Sequence, residues 1–249
     1  MRRQVVHTSN VLRLMNAIGR LMDDTRADER MGLLHGRPGE GKTTSISYAV
    51  TQLRGVYLRA SVAWTVTSMF QAICRELMLD TSRQRAPMLE AITESLAADP
   101  RPVFIDEADY LVRSGRSSTD MLDALRDIYD LAQVPVILVG MEDIVHKLKP
   151  IGATRGGRAT IIKSGNFARF QRRITEVIEF KGITEADAHK VAAELCEVEV
   201  EEALLRALFQ QADGNIDRLV NSLDGLERFA RTNDLDVVTL SQWERRVGA

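Results

Sequence analysis

Gly36-Arg37-Pro38-Gly39-Glu40-Gly41-Lys42-Thr43 has the spacing G-x-x-x-x-G-K-[ST] of a phosphate-binding loop, with Thr44 next in line. Glycines let the backbone wrap a phosphate chain and aim its N–H groups at it, at the positive end of the helix that follows. The Lys42 ammonium can reach the terminal phosphates, and the Thr43 hydroxyl can ligate Mg²⁺. The pattern means little without its context, a strand before and a helix after. Here Met31-Gly32-Leu33-Leu34-His35 reads as the strand, and residues 42–53 read as the helix.

About sixty residues further on, Val103-Phe104-Ile105-Asp106-Glu107 is an apolar strand ending in two carboxylates. This is the Walker B arrangement. Asp106 would hold Mg²⁺, and Glu107 would orient and deprotonate an attacking water. Together the two motifs point to hydrolysis of a nucleoside triphosphate, ATP with Mg²⁺, rather than to binding alone.

Working outward, residues 9–24 predict an amphipathic helix, capped by Ser9 or Asn10, with Val11, Leu12, Met15, Ile18, Leu21 and Met22 on one face. Residues 55–59, 134–139 and 175–180 predict further strands; residues 65–79, 87–97 and 118–132 predict helices between them. Unbroken apolar strands alternating with helices imply an α/β fold with a parallel sheet covered on both faces. After Gly182 the pattern is helical to the end, with Thr184-Glu185-Ala186-Asp187 resembling a capping box and Gly214-Asn215 opening another helix. The expected division is an α/β nucleotide-binding domain, 1–181, and a helical lid, 182–249. Residues 149–166, rich in Gly, Thr, Ser, Arg and Lys, read as a long loop.

Composition sets outer bounds. The chain of 249 residues carries a formal net charge of −2, which argues against a uniformly basic nucleic-acid binder. Cys74 and Cys196 lie far apart in apolar, helical stretches and read as buried free thiols; His7, His35, His146 and His189 form no metal pattern. No apolar run reaches the length of a membrane span, so the expectation is a cytoplasmic protein without a membrane partner.

The two motifs, the Asp-Glu-Ala-Asp run at 106–109 and Gly214-Asn215-Ile216-Asp217-Arg218 resemble the AAA+ ATPases. Within that superfamily the chain resembles the transposition regulators of the phage Mu B, TniB and TnsC type. That resemblance rests on Val5-Val6-His7-Thr8-Ser9-Asn10, Val136-Ile137-Leu138-Val139-Gly140 and Phe170-Gln171-Arg172-Arg173. It implies a five-stranded sheet, nucleotide between subunits of a homo-oligomer, and an arginine finger given in trans by Arg172 or Arg173, beside Arg169. It also implies a lid arginine on the nucleotide, for which Arg218 is the candidate. Two positions depart from the family pattern. Gly140-Met141 stands where a polar sensor is usual, and Asp217 stands where the lid arginine is usual. Slow hydrolysis, suited to an ATP-timed switch, is the consequence expected.

From Lys147 to Arg173 inclusive there are eight basic residues and no acidic one. Such segregation suits a phosphate backbone followed without base reading. Arg155, Arg158 and Lys163 are the candidate contacts there, with Arg113 and Arg116 after the second motif and Arg59 after the second strand as further candidates. Trp64 reads as a packing residue. Phage Mu B protein carries a DNA-binding domain ahead of its ATPase, but only thirty residues precede the strand at Met31 here, so DNA binding is expected from the ATPase core. The reading is thus an ATPase that assembles on double-stranded DNA as a filament or ring and recruits or activates a transposase. The alternatives are a loader or remodeller of another DNA machine, as helicase loaders are, or a protein-binding AAA+ switch.

Overall fold

In a computed structural model, residues 2, 4–23, 30–112, 116–148 and 173–247 are described, with the backbone alone at 116–119, 148 and 247. The chain divides into two compact units. One comprises Met15–Gly36 and Ile46–Glu179; the other comprises Met1–Leu14, Arg37–Ser45 and Phe180–Ala249.

The first unit is built on five parallel strands: β1 (Met31–His35), β2 (Val56–Arg59), β3 (Val103–Asp106), β4 (Val136–Gly140) and β5 (Ile174–Glu179). Their order across the sheet is β2-β3-β4-β1-β5. Every residue of the central strands β3 and β4 is buried, as their continuous Val, Ile, Leu and Phe require, whereas the edge strand β5 alternates. Gly32 of β1 allows a close approach: a Cβ there would stand 2.9 Å from Leu21 Cδ1. Helix α1 (Ser9–Leu21) precedes β1, and helices α2 (Lys42–Leu53), α3 (Val66–Glu76), α4 (Arg85–Ala98), α5 (Arg116–Ala132) and the short α6 (Ile144–Leu148) run between the strands, the first turns of α1 and α2 belonging to the second unit. Leu33, Ile105 and Leu138 from the sheet meet Ile73, Met88 and Leu125 from the helices in one core. Cys74 is buried and free, and Trp64 packs against this core.

The second unit holds α7 (Glu185–Leu195), β6 (Glu199–Val200), α8 (Glu202–Ala212), α9 (Ile216–Thr232), β7 (Val237–Val238) and α10 (Leu240–Val247). Its core is aliphatic, with Val191, Leu204, Leu208, Leu219 and Leu223 buried beside Val6. The helical expectation for this region needs one correction, because β6 and β7 pair in parallel. Two-residue strands carry no periodicity that a sequence could show. Gly214 has a φ of 74°, and Gly182 approaches it so closely that a Cβ on Gly182 would lie 3.0 Å from the Gly214 Cα.

Two further expectations change. The buried face of α1 is Val11, Leu14, Ala17, Ile18 and Leu21, while Leu12 is 49% exposed. Spacings of three and four carry 11, 14, 18 and 21 along one stripe, and Leu12 lies about 100° off it. Neither Ser9 nor Asn10 caps α1; the Ser9 side chain donates to Asp187 and the Asn10 amide to the Lys181 carbonyl. The loop expected at 149–166 lies outside the described residues. No helix among the described residues is long and apolar enough to cross a membrane.

Candidate functional site

The C-terminal edge of a parallel sheet is where α/β proteins bind ligands, because helix N-termini and loops converge there. At this edge β1 ends at His35 and the chain leaves through buried Gly36; β3, two strands away, ends in Asp106.

The loop that follows Gly36 takes the shape its glycines permit. Gly39 and Gly41 adopt φ of 79° and 80°, in the left-handed region. Lys42 then opens α2. The Lys42 ammonium donates to the Arg37 carbonyl at 2.8 Å, and the buried Glu40 carboxylate accepts the Arg37 N–H at 2.7 Å. Ser45 donates its hydroxyl back to the Gly41 carbonyl. Thr43 and Thr44, on the first turn of α2, are exposed. Asn215, the N-cap of α9, accepts the Arg218 N–H at 3.0 Å and donates its amide to the Pro38 carbonyl at 3.1 Å. A Cβ on Gly39 would collide with this amide, 2.3 Å from Nδ2, so Gly39 answers two demands at once.

Within the same unit lies a cavity of about 170 Å³. Gly41 of the loop and Thr44 of α2 line it. Gln4, Val5, Val6 and Val11 also line it, with Val191, Leu195, Ile216 and Val220. Its apolar walls beside a phosphate-type loop suit a flat heterocycle joined to phosphates. Asp217 lines this cavity, whereas Arg218 is exposed on the first turn of α9.

In the sheet unit, Asp106 is 7% exposed and its two oxygens are both engaged. Oδ1 accepts the Glu107 N–H at 2.9 Å, and Oδ2 accepts the Tyr57 hydroxyl at 3.0 Å. Burial first, then the Asp106 charge, push the Tyr57 phenol up to about 12, so it stays a donor. Glu107 itself has a φ of 56°, an uncommon conformation for a residue with a Cβ and one that turns the chain sharply after β3. Arg59, at the end of β2, approaches Glu107 at 3.4 Å. Asp109, in the 3₁₀ turn Ala108–Tyr110, accepts the Met141 N–H at 2.7 Å and the Lys147 ammonium at 2.9 Å. A Cβ on Gly140 would lie 2.6 Å from this Asp109 carboxylate, which accounts for a glycine where a polar side chain was expected.

Of the arginines at 169–173, only Arg173 lies among the described residues. It pairs with Asp130 of α5 and stands over the Tyr129 ring, 5.6 Å from its centroid. Arg169, Arg172, Arg155, Arg158, Lys163 and Arg113 fall outside the described residues, and Arg116 is described by its backbone alone at the start of α5. Arg59, a candidate DNA contact, meets the carboxylate expected to act as base. Tyr57, Asp109 and Asn215 were not foreseen as site residues. One signal was available: Tyr57 and Arg59 alternate with buried Val56 and Leu58, so they share one face of β2. Glu185, His189 and Glu202 bring metal-type donors within 4.8 Å of one another, but the Arg206 guanidinium already bridges Glu185 and Glu202 at 3.2 Å each.

Residues 25–148 match the model of a protein family described as AAA domain. A replication factor C large subunit from Staphylothermus marinus is 24% identical over 230 residues, 90% of this chain and 44% of that protein. The chain thus spans less than half the length of this curated relative. Two solved structures share the fold. Cdc6p from Pyrobaculum aerophilum superposes with a TM-score of 0.62 at 16% identity, over 92% of this chain and 62% of that one. The Aeropyrum pernix ORC1 protein, solved in complex with DNA, gives 0.62 at 14% identity, over 99% of this chain and 66% of that one.

Proposed function

We propose that this AAA-type P-loop ATPase binds ATP with magnesium, hydrolyses it, and uses the cycle to time its grip on double-stranded DNA within a loading or remodelling machine. The observation that carries the nucleotide reading is the cavity beside Gly41 and Thr44, apolar where a base would lie and bounded by the loop that would take the phosphates.

Roles follow from chemistry. The N–H groups from Gly36 to Thr44, Arg37, Gly39 and Glu40 included, would cradle the phosphates, with Pro38 shaping the loop, and Lys42 would neutralise the terminal ones. Thr43 and Asp106 offer hard oxygen ligands of the kind Mg²⁺ prefers, and the ion supplies charge neutralisation on the phosphates when bound. Glu107 would polarise the attacking water. Arg172 and Arg218 are proposed as further cationic contacts to nucleotide, Arg172 across a subunit interface, whereas Arg173 is already held by Asp130 and the Tyr129 ring.

The DNA part of the proposal draws on kin. The Staphylothermus marinus relative is named for replication, and the ORC1 structure was solved with DNA. This favours a loader or remodeller over a transposition regulator, and no transposase partner is proposed. Binding of random-sequence duplex with and without ATP tests the proposal, using wild type, Lys42→Ala and Glu107→Gln. ATP should tighten binding by wild type, Lys42→Ala should lose both ATP and DNA, and Glu107→Gln should stay on DNA without turnover. Duplex binding indifferent to ATP in all three proteins would overturn the DNA-timing role.

A further inference from the structure

We propose that Asp187 is a positioning residue for nucleoside recognition: it fastens the N-terminal strap, residues 4–11, to the helices of its own unit so that the strap forms one wall of the base cavity. The proposal rests on the nucleotide reading above and adds to it a division of labour between base and phosphate.

Asp187 is 6% exposed, and four donors converge on its carboxylate. Oδ1 accepts the Ser9 N–H at 2.7 Å, and Oδ2 accepts the Ser9 hydroxyl at 2.6 Å. Oδ2 also accepts the Thr184 N–H at 3.1 Å and the Thr184 hydroxyl at 2.9 Å. A capping box for α7 needs only the Thr184 half of this set. The Ser9 half does something else. It satisfies the first N–H of α1, a group that the helix itself leaves without a partner, and so joins the start of α1 to the start of α7.

Other bonds along the strap share this direction. The Arg2 N–H donates to the Leu195 carbonyl at 2.9 Å, and the Gln4 amide to the Glu194 carbonyl at 3.2 Å. The Lys190 ammonium donates to the His7 carbonyl at 2.8 Å, and the Asn10 amide to the Lys181 carbonyl at 2.7 Å. All of these are neutral or exposed; the pair of bonds from Ser9 to Asp187 is charge-assisted and shielded from water, and it is the strong link in the series. Along this strap, Gln4, Val5, Val6 and Val11 line the cavity together with Val191 and Leu195. The phosphate-binding atoms, by contrast, belong to the loop and to Lys42 and touch none of these anchors. Loosening the strap should therefore cost base recognition and spare phosphate recognition.

Calorimetric titration of the full chain with Mg·ATP and with Mg·tripolyphosphate separates the two. In Asp187→Asn an amide nitrogen faces N–H and hydroxyl donors, and ATP should bind about tenfold more weakly, the worth of one charge-assisted bond. Tripolyphosphate affinity should stay within about twofold of wild type, and kcat at saturating ATP should hold while KM rises. Ser9→Ala leaves the α7 capping box whole and provides the same comparison if Asp187→Asn does not fold; about a threefold selective loss of ATP is expected. Equal losses for both ligands, or no loss for either in Ser9→Ala, would overturn the positioning role while leaving the nucleotide reading intact. A wild-type protein that bound neither ligand would overturn the nucleotide reading and this inference with it.

Discussion

Arg59 and Glu107 form an ion pair across neighbouring strands, with Arg59 Nη2 3.4 Å from Glu107 Oε1. The contact engages the carboxylate proposed as the base. The Arg59 side chain is largely open to solvent and Glu107 partly so, and the pair is worth less than roughly 1 kcal/mol. Breaking it should free the carboxylate for water, and Arg59→Ala should raise basal ATP hydrolysis by about two- to fivefold, the rate equivalent of that energy. Steady-state phosphate release checks this. A fall in rate would place Arg59 on the nucleotide rather than on the base, and a loss of duplex binding at constant rate would support its role as a DNA contact.

Tyr57 holds the other carboxylate. With Oδ1 on the Glu107 N–H and Oδ2 on the Tyr57 hydroxyl, Asp106 has one fixed orientation. Groups that orient a metal ligand typically matter about tenfold or more to metal affinity. Tyr57→Phe should raise the Mg²⁺ concentration needed for half-maximal hydrolysis severalfold, toward tenfold, with ATP binding in the absence of metal unchanged. An unaltered Mg²⁺ requirement would reduce the phenol to a packing group.

The strand–loop–helix of 31–53 and the apolar strand ending at Asp106-Glu107 are readable in the sequence because each depends on local spacing. Nothing in the sequence ties Tyr57 and Arg59 to the carboxylates, because that link depends on register: β2 and β3 align Arg59 with Asp106. Asp187 reads as half of a capping box, and Ser9 as a cap for its own helix. Their bond to each other joins residues 178 positions apart, beyond any periodicity. Gly140 reads as a departure from a family pattern, and its reason is the Asp109 carboxylate against it.

Asp187 also makes a pH prediction. Burial pushes its carboxyl up, but the bonds from Ser9 and Thr184 outweigh burial and hold it below the ordinary aspartate value. The folded state then binds fewer protons than the unfolded one near that value. The stability contributed is present above about pH 4 and is lost as pH falls below it. The Tm difference between wild type and Asp187→Asn should be largest near neutrality and should narrow below about pH 4. A difference constant down to about pH 3 would mean that charge plays no part in the link.

The basic stretch is tested by salt. Replacing Arg155, Arg158 and Lys163 together by Ala should weaken binding of all duplexes alike and flatten log K against log salt, by about 0.9 for each phosphate no longer neutralised. An unchanged slope would move the DNA surface to Arg113, Arg116 or Arg59.

Arg172 and Arg173 are both candidates for the finger, yet Arg173 is engaged within its own chain, on Asp130 and over the Tyr129 ring. To reach a neighbouring subunit it would have to give up a charge-assisted bond and a cation–π contact, each worth about 1 kcal/mol at a half-exposed site. The two residues should therefore separate. Arg173→Ala should lower stability by about 1 kcal/mol with a modest effect on turnover, and Arg172→Ala should depress hydrolysis by on the order of 10³-fold with ATP binding intact. Mixing decides whether the effect crosses an interface. Arg172→Ala keeps an intact Lys42, Asp106 and Glu107, whereas Glu107→Gln keeps its arginines and lacks the base. Each is nearly inactive alone. Co-assembled, the intact site of the first can meet Arg172 of the second, and activity should partly return. A mixture shown to co-assemble yet as inactive as its parts would remove Arg172 from the trans role and leave the cluster to DNA binding or to the fold.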